Sequence, residues 1–336
     1  MAKHSKLSKI ILDIRRDPLL WFQGFGRFCD EHTRKPVRGK AEVLQRRMFD
    51  HYRRCQAAKI PCRMVVVKYR RAGSSTAASC LSYNHVMNHN ARFGVIGFDY
   101  KASSNMLEMV KFFGENDDFP GWQADFDETL ETVEWDDVTT KQIATRLVFS
   151  HGSQVDLYTA KNPKSARSAG LQGYHATENA HWPHGGVQDA GETLTAMRNT
   201  LPKKGFHFCV EESTAQGAQG AFYETCRTAR WPEYAKWADQ WKTSWPLTEV
   251  EFGKDLQFVF IFAAWFEDTR NFMPITADQE QKLRTNLDPD EQELIKLYGN
   301  EGPTGLRLGE EVACTVWEQL AWRRGRLHAG LLEIPL

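Results

Sequence analysis

The run from Arg63 to Ser79 constrains this chain more than any other stretch. Its β-branched core, Val65-Val66-Val67, reads as a buried strand. The strand ends in a cationic turn, Lys68-Tyr69-Arg70-Arg71-Ala72-Gly73, and Ser74, Ser75 and Thr76 lead into small, helix-compatible residues. Strand, glycine turn and helix start is the layout of a phosphate-binding loop. There the unbonded N–H groups of the helix N-terminus face the anion, and the helix dipole favours it. The common pattern G-x-x-x-x-G-K-[ST] is not met, because Ser74 stands at its lysine and Lys68 at its first glycine. Taken alone, the stretch reads first as a strand entering an exposed polar turn.

A chain of 336 residues has room for one large α/β domain with appendages, or for two domains. Its 43 basic residues balance 43 acidic ones, so total charge gives no argument for nucleic acid, but the distribution is uneven. Basic residues predominate from Arg34 to Arg71. The segment Asp117 to Asp137 is acidic and, with Pro120-Gly121, reads as a solvated insertion. The seven cysteines are scattered and form no C-x-x-C, which points to reduced thiols in a cytosol-like compartment and against a zinc ribbon. The N-terminus has no signal-peptide core, and no apolar run approaches the roughly eighteen residues that a bilayer requires. A soluble, intracellular protein without a membrane partner is expected.

Around the central stretch, hydrophobic spacing predicts helices over Leu7 to Arg16, Ala41 to Ala58, Ser75 to Asn88 and Ser103 to Phe113. Buried strands are expected at Phe93 to Asp99, Leu171 to Thr177, Gly205 to Glu211 and Leu256 to Phe262. Arg146 to Ser150 and Gln154 to Thr159 form a hairpin-like pair around His151-Gly152-Ser153. Helices follow at Val187 to Leu201, Phe222 to Thr228, Asp278 to Asn286, Asp288 to Tyr298 and Glu310 to Arg326. Strands alternating with helices imply crossover units and a mainly parallel sheet. Lys161 to Gly170 is a basic, serine-rich loop.

Nucleotide hydrolysis on such a sheet needs polar groups at the carboxyl ends of adjacent strands. Gly73 would let the backbone approach phosphates, Ser75 would put its hydroxyl on Mg²⁺, and Lys68 or Arg70 would supply the charge that Ser74 cannot. Glu178 ends an apolar strand, where a water-activating carboxylate belongs. Ser213 and Thr214 end the next, where a hydroxyl could sense the γ-phosphate. Each also has a plain reading: Ser75 as a helix cap, Arg70 as a solvated cation, Glu178 as a strand-end charge, Ser213-Thr214 as an ordinary cap, and Gln45 as a surface glutamine.

With these residues in view, the sequence resembles the large subunits of phage terminases. Lys68 to Thr76 is similar to their deviant Walker A, K-x-R-Q-x-G-x-S-T, in which the lysine is displaced towards the start of the loop. Ala176-Thr177-Glu178-Asn179-Ala180-His181-Trp182-Pro183 is similar to the Walker B stretch, and Glu211 to Gly217 to the E-S-T-A-N-G coupling motif. Ala264-Trp265-Phe266-Glu267-Asp268 and Leu320-Ala321-Trp322-Arg323-Arg324 match two later signatures, P-W-F-E-D and Q-x-x-W-R-R.

The resemblance implies an α/β P-loop NTPase fold of the ASCE type. Residues 1–40 would be an N-terminal helical, basic segment, 41–275 the ATPase domain and 276–336 a small helical linker subdomain. It implies ATP and Mg²⁺ as cofactors, with translocation of double-stranded viral DNA into a procapsid as the activity. Arg70 would be a cis-acting finger, Ser75 a Mg²⁺ ligand backed by Thr177 and Glu178, and Glu178 the residue that activates water. Ser213-Thr214 would couple hydrolysis to movement and Gln45 would contact adenine, with Lys68, Arg71, Gly73, Ser74 and Thr76 around the nucleotide. Lys161, Lys164, Arg167, Arg323 and Arg324 are the expected DNA contacts, joined by Arg326 at the C-terminal end. Portal protein, terminase small subunit and a ring of identical chains are the implied partners, in host cytoplasm.

Two departures stand out. Thr177 occupies the position where Walker B normally has aspartate, which weakens control of Mg²⁺ and predicts slow hydrolysis without a partner. The family continues into a nuclease domain about where this chain stops, so cutting activity is not expected. One rival reading is a non-catalytic DNA-binding or assembly fragment of a truncated prophage terminase. Another is a metal-dependent hydrolase built on His175, Glu178, His181 and His184, although their spacing and Pro183 oppose a shared helical face.

Overall fold

The computed structural model describes residues 2–30, 33, 35–120, 124–135, 139–162, 170–183, 190–230, 257–263, 265, 268, 270–298, 306–307, 310–311 and 315–328. Ahead of the central strand lie α1 (Ala2–Arg16), α2 (Pro18–Gly24), the short pair β1 (Arg27–Cys29) and β2 (Pro36–Arg38), and α3 (Val43–Ala58). The β-branched run forms β3 (Cys62–Lys68), followed by α4 (Ser74–Asn88), β4 (Arg92–Gly97) and α5 (Tyr100–Glu115). Next come β5 (Phe126–Trp135), β6 (Thr139–Phe149), β7 (Gln154–Thr159) and β8 (Gly173–Thr177). The chain continues through α6 (Ala190–Thr200), β9 (Phe208–Thr214), α7 (Gly220–Thr228) and β10 (Val259–Phe262) to α8 (Ala277–Thr285) and α9 (Pro289–Tyr298). A two-residue pair, β11 (Leu306–Arg307) and β12 (Glu310–Glu311), precedes α10 (Val316–His328).

The large sheet has the order β10-β3-β9-β8-β4-β7-β6-β5. From β10 to β7 every pairing is parallel, and β6 and β5 extend it as an antiparallel hairpin. β3 lies inside the sheet, between β10 and β9, and its side chains are apolar on both faces, as a strand covered on both sides by helices must be. Met64 and Val66 join the core formed with α3, α4 and α5, whereas Val65 joins Leu194, Met197 and Phe222 of α6 and α7 on the other face. Leu283, Val316, Trp317 and Leu320 of the C-terminal helices belong to the first of these cores, and Trp322 stacks on Trp265.

Two expectations are corrected. Half of the acidic segment from Asp117 to Asp137 is strand β5, paired along its length with β6 and shifted in register between Thr129 and Leu130. At a sheet edge, carboxylates and an exposed apolar side chain such as Leu130 share a strand without cost, so local charge did not exclude a strand whose partner lies later in the chain. The final helix begins at Val316 rather than Glu310, since Glu310 and Glu311 pair with Arg307 and Leu306. The six described cysteines, Cys29, Cys55, Cys62, Cys80, Cys209 and Cys226, are free thiols, as expected. Among the described residues no helix is long and apolar enough to cross a membrane.

The last turn of α4 carries a buried imidazole. His85 Nδ1 lies 3.0 Å from the Tyr52 hydroxyl, and its ring packs against Phe93, Phe206 and Phe208. Burial, then the neighbouring His89 and His207, hold His85 well below the usual imidazole range; burial and Arg63 lower His207 to about 4. Folding therefore keeps these rings neutral, and the unfolded chain takes up protons first as pH falls. The stability they contribute is complete above about pH 6.5 and is lost progressively towards pH 4. The thermal unfolding midpoint, read by circular dichroism, is expected to be lower at pH 5 than at pH 7.5. An unchanged midpoint over that interval would contradict the buried neutral rings.

Candidate nucleotide site

The carboxyl ends of β3, β9 and β8 lie side by side. Val67 and Lys68 pair with Ser213 and Thr214, and Thr177 pairs with Glu212. All the polar strand ends singled out in the sequence thus meet at one edge, above the start of α4. The connecting turn reverses the chain with Arg71 at φ 66° and Gly73 at φ 77°, both in the left-handed region. At Gly73 a Cβ would also lie 2.6 Å from Gln45 Nε2. No side chain caps α4 at Gly73, so the N–H groups of its first turn remain directed at the space above the loop.

Lys68 closes β3 with its ammonium inside this cluster, 2.6 Å from Glu212 Oε2, 2.8 Å from Glu178 Oε1 and 3.3 Å from Ser75 Oγ. Of the two cations left open by the sequence, Lys68 is buried among the carboxylates and Arg70 sits on the exposed turn beside Arg71. Burial opposes the charge on Lys68, but Glu212 and Glu178 outweigh it and raise its pKa. Glu212, fully buried, accepts from the hydroxyls of Ser74, Ser75 and Thr177, each at 2.7 Å, and lies 3.3 Å from His175 Nε2. Burial opposes its ionisation too, yet Lys68 and His175 hold its carboxyl well below the ordinary range.

Glu178 has the left-handed backbone angles φ 52°, ψ 36° immediately after β8. Such a conformation costs a non-glycine residue about 1–2 kcal/mol, and it is held here by the turn Asn179–His181 and by the Trp182 indole, which donates to Thr177 O at 3.2 Å. The bend lifts the carboxylate out of the sheet to where it accepts from Ser213 Oγ and Thr214 N, both at 3.3 Å. His181 Nε2 lies 2.7 Å from Thr214 Oγ1. Thr76 is half-buried on the first turn of α4.

Gln45 is not a surface residue. Its Oε1 accepts from Glu42 N at 2.9 Å and its Nε2 donates to Gly73 O at 3.0 Å, so it joins the start of α3 to the loop. A second tie escaped sequence reading. The Tyr69 hydroxyl donates to Asp268, which also binds Arg270, and Arg270 reaches Glu42 at 3.5 Å. Burial and then Asp268 raise the Tyr69 pKa, whereas the Arg270 bonds overcome burial and lower that of Asp268. The acidic residue ending the Ala264–Asp268 match is thereby in contact with the loop; Ala264, Phe266 and Glu267 lie outside the described residues.

The histidine reading of a metal hydrolase is corrected by this geometry. His175 is buried in β8 facing Glu212, His181 faces Thr214, and His184 lies outside the described residues. Among the described residues, the His, Cys, Asp and Glu side chains that converge closely enough for a metal ion are His51, Cys55 and Cys62, buried between α3 and β3. Of the expected DNA contacts, Lys161 stands exposed with its ammonium 4.5 Å from the Phe98 ring centre, and Lys164 and Arg167 lie outside the described residues. Arg323 and Arg324 are bound to the buried Glu291.

A mainly parallel sheet flanked by helices, with a glycine turn running from β3 into a helix and carboxylate and hydroxyl groups on the neighbouring strand ends, defines an α/β fold with its polar groups gathered at one sheet edge. No family model and no curated protein matches the chain. Among solved structures it is similar to the ATPase domain of the Thermus phage P74-26 large terminase, at 16% identity and a TM-score of 0.41, covering 75% of this chain and 90% of that one. It is similar also to the large terminase of a thermophilic bacteriophage (12% identity, TM-score 0.41, 74% of this chain and 51% of that one). The HK97 bacteriophage large terminase gives 11% identity and a TM-score of 0.48, with 95% of this chain and 52% of that one covered. The chain thus spans about half the length of these last two proteins.

Proposed function

We propose that this chain is the ATPase part of a phage large-terminase motor that drives double-stranded DNA into a procapsid. The observation that carries the reading is the convergence of Lys68, Ser75, Glu178 and Glu212 on an uncapped helix start. The donor set fits a hard divalent cation: the Ser75 hydroxyl and the Glu212 carboxylate offer oxygen alone, which suits Mg²⁺. Bound Mg²⁺ with ATP would neutralise the charge developing between the β- and γ-phosphates. Ser75 and the first N–H groups of α4 hold and orient the phosphates, and Lys68 turns from the carboxylates towards them. Glu178, bent out of the sheet, accepts a proton from water, while Ser213 and Thr214 register its position. Arg70 stands on the exposed turn where a cis-acting finger would act, and Gln45 borders the base. DNA is gripped through phosphates by Lys161, Lys164, Arg167, Arg323 and Arg324, independently of sequence. Residues 276–336 act as the linker, and a ring on the portal, with a small subunit, in host cytoplasm completes the proposal.

Mg²⁺-dependent ATP turnover, measured with and without double-stranded DNA, tests it. Removing the water-activating carboxylate in Glu178→Ala should lower the rate by about 10²–10⁴-fold. A wild-type rate no faster than that of Glu178→Ala under both conditions would favour the non-catalytic assembly fragment.

A further inference from the structure

Thr177 lies where a motor of this type carries the aspartate that steadies its metal ion, and a threonine hydroxyl cannot replace that charge. The sheet supplies a carboxylate at the same place from the next strand. Glu212 pairs with Thr177 across β8 and β9 and with Val66 across β9 and β3, and paired residues project from the same face of a sheet. Its carboxylate therefore reaches the point that an aspartate at position 177 would occupy, and Thr177 Oγ1 donates to it at 2.7 Å. We propose that Glu212 is the positioning residue for the metal ion, having taken over from β9 the task that β8 gave up at Thr177. The inference rests on the ATPase reading above.

The bonds around Glu212 are those this task requires. Ser75 donates its hydroxyl proton to Glu212 Oε1, so its oxygen faces cations through its lone pairs; one of them accepts from Lys68 Nζ at 3.3 Å and the other is left for a metal ion. Ser74 and Lys68 bind the other carboxylate oxygen, so both oxygens are fixed from β3 and α4. A fully buried carboxylate is an expensive way to join strands, because an apolar side chain of similar volume would pack there at no desolvation cost. The neighbouring Glu211 shows what a purely structural acid does in this sheet. It points to the opposite face, where Tyr174 and Arg198 satisfy it at 2.6 and 2.8 Å, away from the loop.

The test is the Mg²⁺ dependence of binding of a fluorescent ADP, which does not rely on turnover. Partners standing behind a metal ligand typically govern 10–100-fold in metal affinity, so Glu212→Gln should raise the Mg²⁺ concentration needed for half-maximal tightening by at least about 10-fold. The readout is the Mg²⁺ midpoint and not the Mg²⁺-free affinity, and a thermal melt as cooperative as that of wild type shows that the variant is folded. In Thr177→Asp/Glu212→Gln, where the carboxylate returns to β8, the midpoint should move back towards wild type. Should Glu212→Gln not fold, as read by its thermal melt, Glu212→Asp serves instead, since it keeps the charge near Lys68 but draws it away from Ser75. A midpoint unchanged from wild type in a folded Glu212 variant overturns the inference and leaves the ATPase reading standing. A wild-type protein that binds neither the fluorescent ADP nor ATP at any Mg²⁺ concentration overturns that reading itself.

Discussion

Lys68→Met is expected to lower folding stability by about 3–5 kcal/mol, the usual penalty for stranding a buried charge, and to abolish ATP turnover. The ammonium is the cation nearest two carboxylates, one of them Glu212 with no exposed surface. Glu178 is half exposed, so water can screen it when Lys68 is gone; Glu212 has no such recourse. Removing Glu212 as well separates the two effects. In Lys68→Met/Glu212→Gln no uncompensated buried charge remains, and most of the lost stability should return, whereas turnover should not, because the cation proposed to face the phosphates is still missing. Urea unfolding followed by circular dichroism, combined with ATP turnover across the double-mutant cycle, reads both. A single variant as stable as wild type would mean that the Lys68–Glu212 pair contributes nothing to the fold. Turnover restored in the double variant would remove Lys68 from the phosphate site.

The parts of this arrangement that were legible in the sequence are local ones. Val65-Val66-Val67 followed by a glycine turn predicts the strand, loop and helix that β3 and α4 form, and the strand ends at Thr177 and Thr214 carry the polar groups expected of them. Which strands stand beside β3 is not local information. The pairings of β3 with β9 and with β10 join residues well over a hundred positions apart, and the β3–β9 pairing brings Glu212 against Ser75. A signal was nonetheless present: side chains alternate along a strand, so Glu211 and Glu212 had to face opposite ways, and Glu212 shares a face with Thr177 once β8 and β9 are neighbours. The choice between Lys68 and Arg70 was hidden for the same reason, since it turns on which residue is the last of β3. The acidic stretch concealed β5 because an edge strand has no need to be apolar, and its partner β6 lies beyond the turn.

Arg323 and Arg324 illustrate how the same chemistry can serve the fold before it serves DNA, and their joint replacement by alanine should cost about 3–5 kcal/mol. Glu291 has no exposed surface and is bound by Arg323 Nη1 at 3.1 Å and by Arg324 Nε at 2.9 Å, while Arg323 also reaches Asp288 Oδ2 at 3.1 Å. Arg324 closes the cluster through Asn286 O. These bonds fasten α10 to the start of α9, and without them Glu291 is left as a buried, unpaired carboxylate. Lys161 is bound differently: its ammonium rests over an exposed-side aromatic ring and, among the described residues, pairs with no buried acid, so Lys161→Ala should leave urea unfolding unchanged. On the proposed function such a cation meets DNA phosphate with counterion release, and its loss should reduce the slope of log affinity against log salt by about 1. The pair of experiments separates the roles. If Arg323→Ala/Arg324→Ala unfolds at the wild-type urea midpoint, the Glu291 cluster is no anchor and both guanidiniums are available to phosphate. If instead it loses stability while its salt slope, measured below the unfolding transition, stays at the wild-type value, their charge belongs to the fold and the grip on DNA belongs to the Lys161 loop.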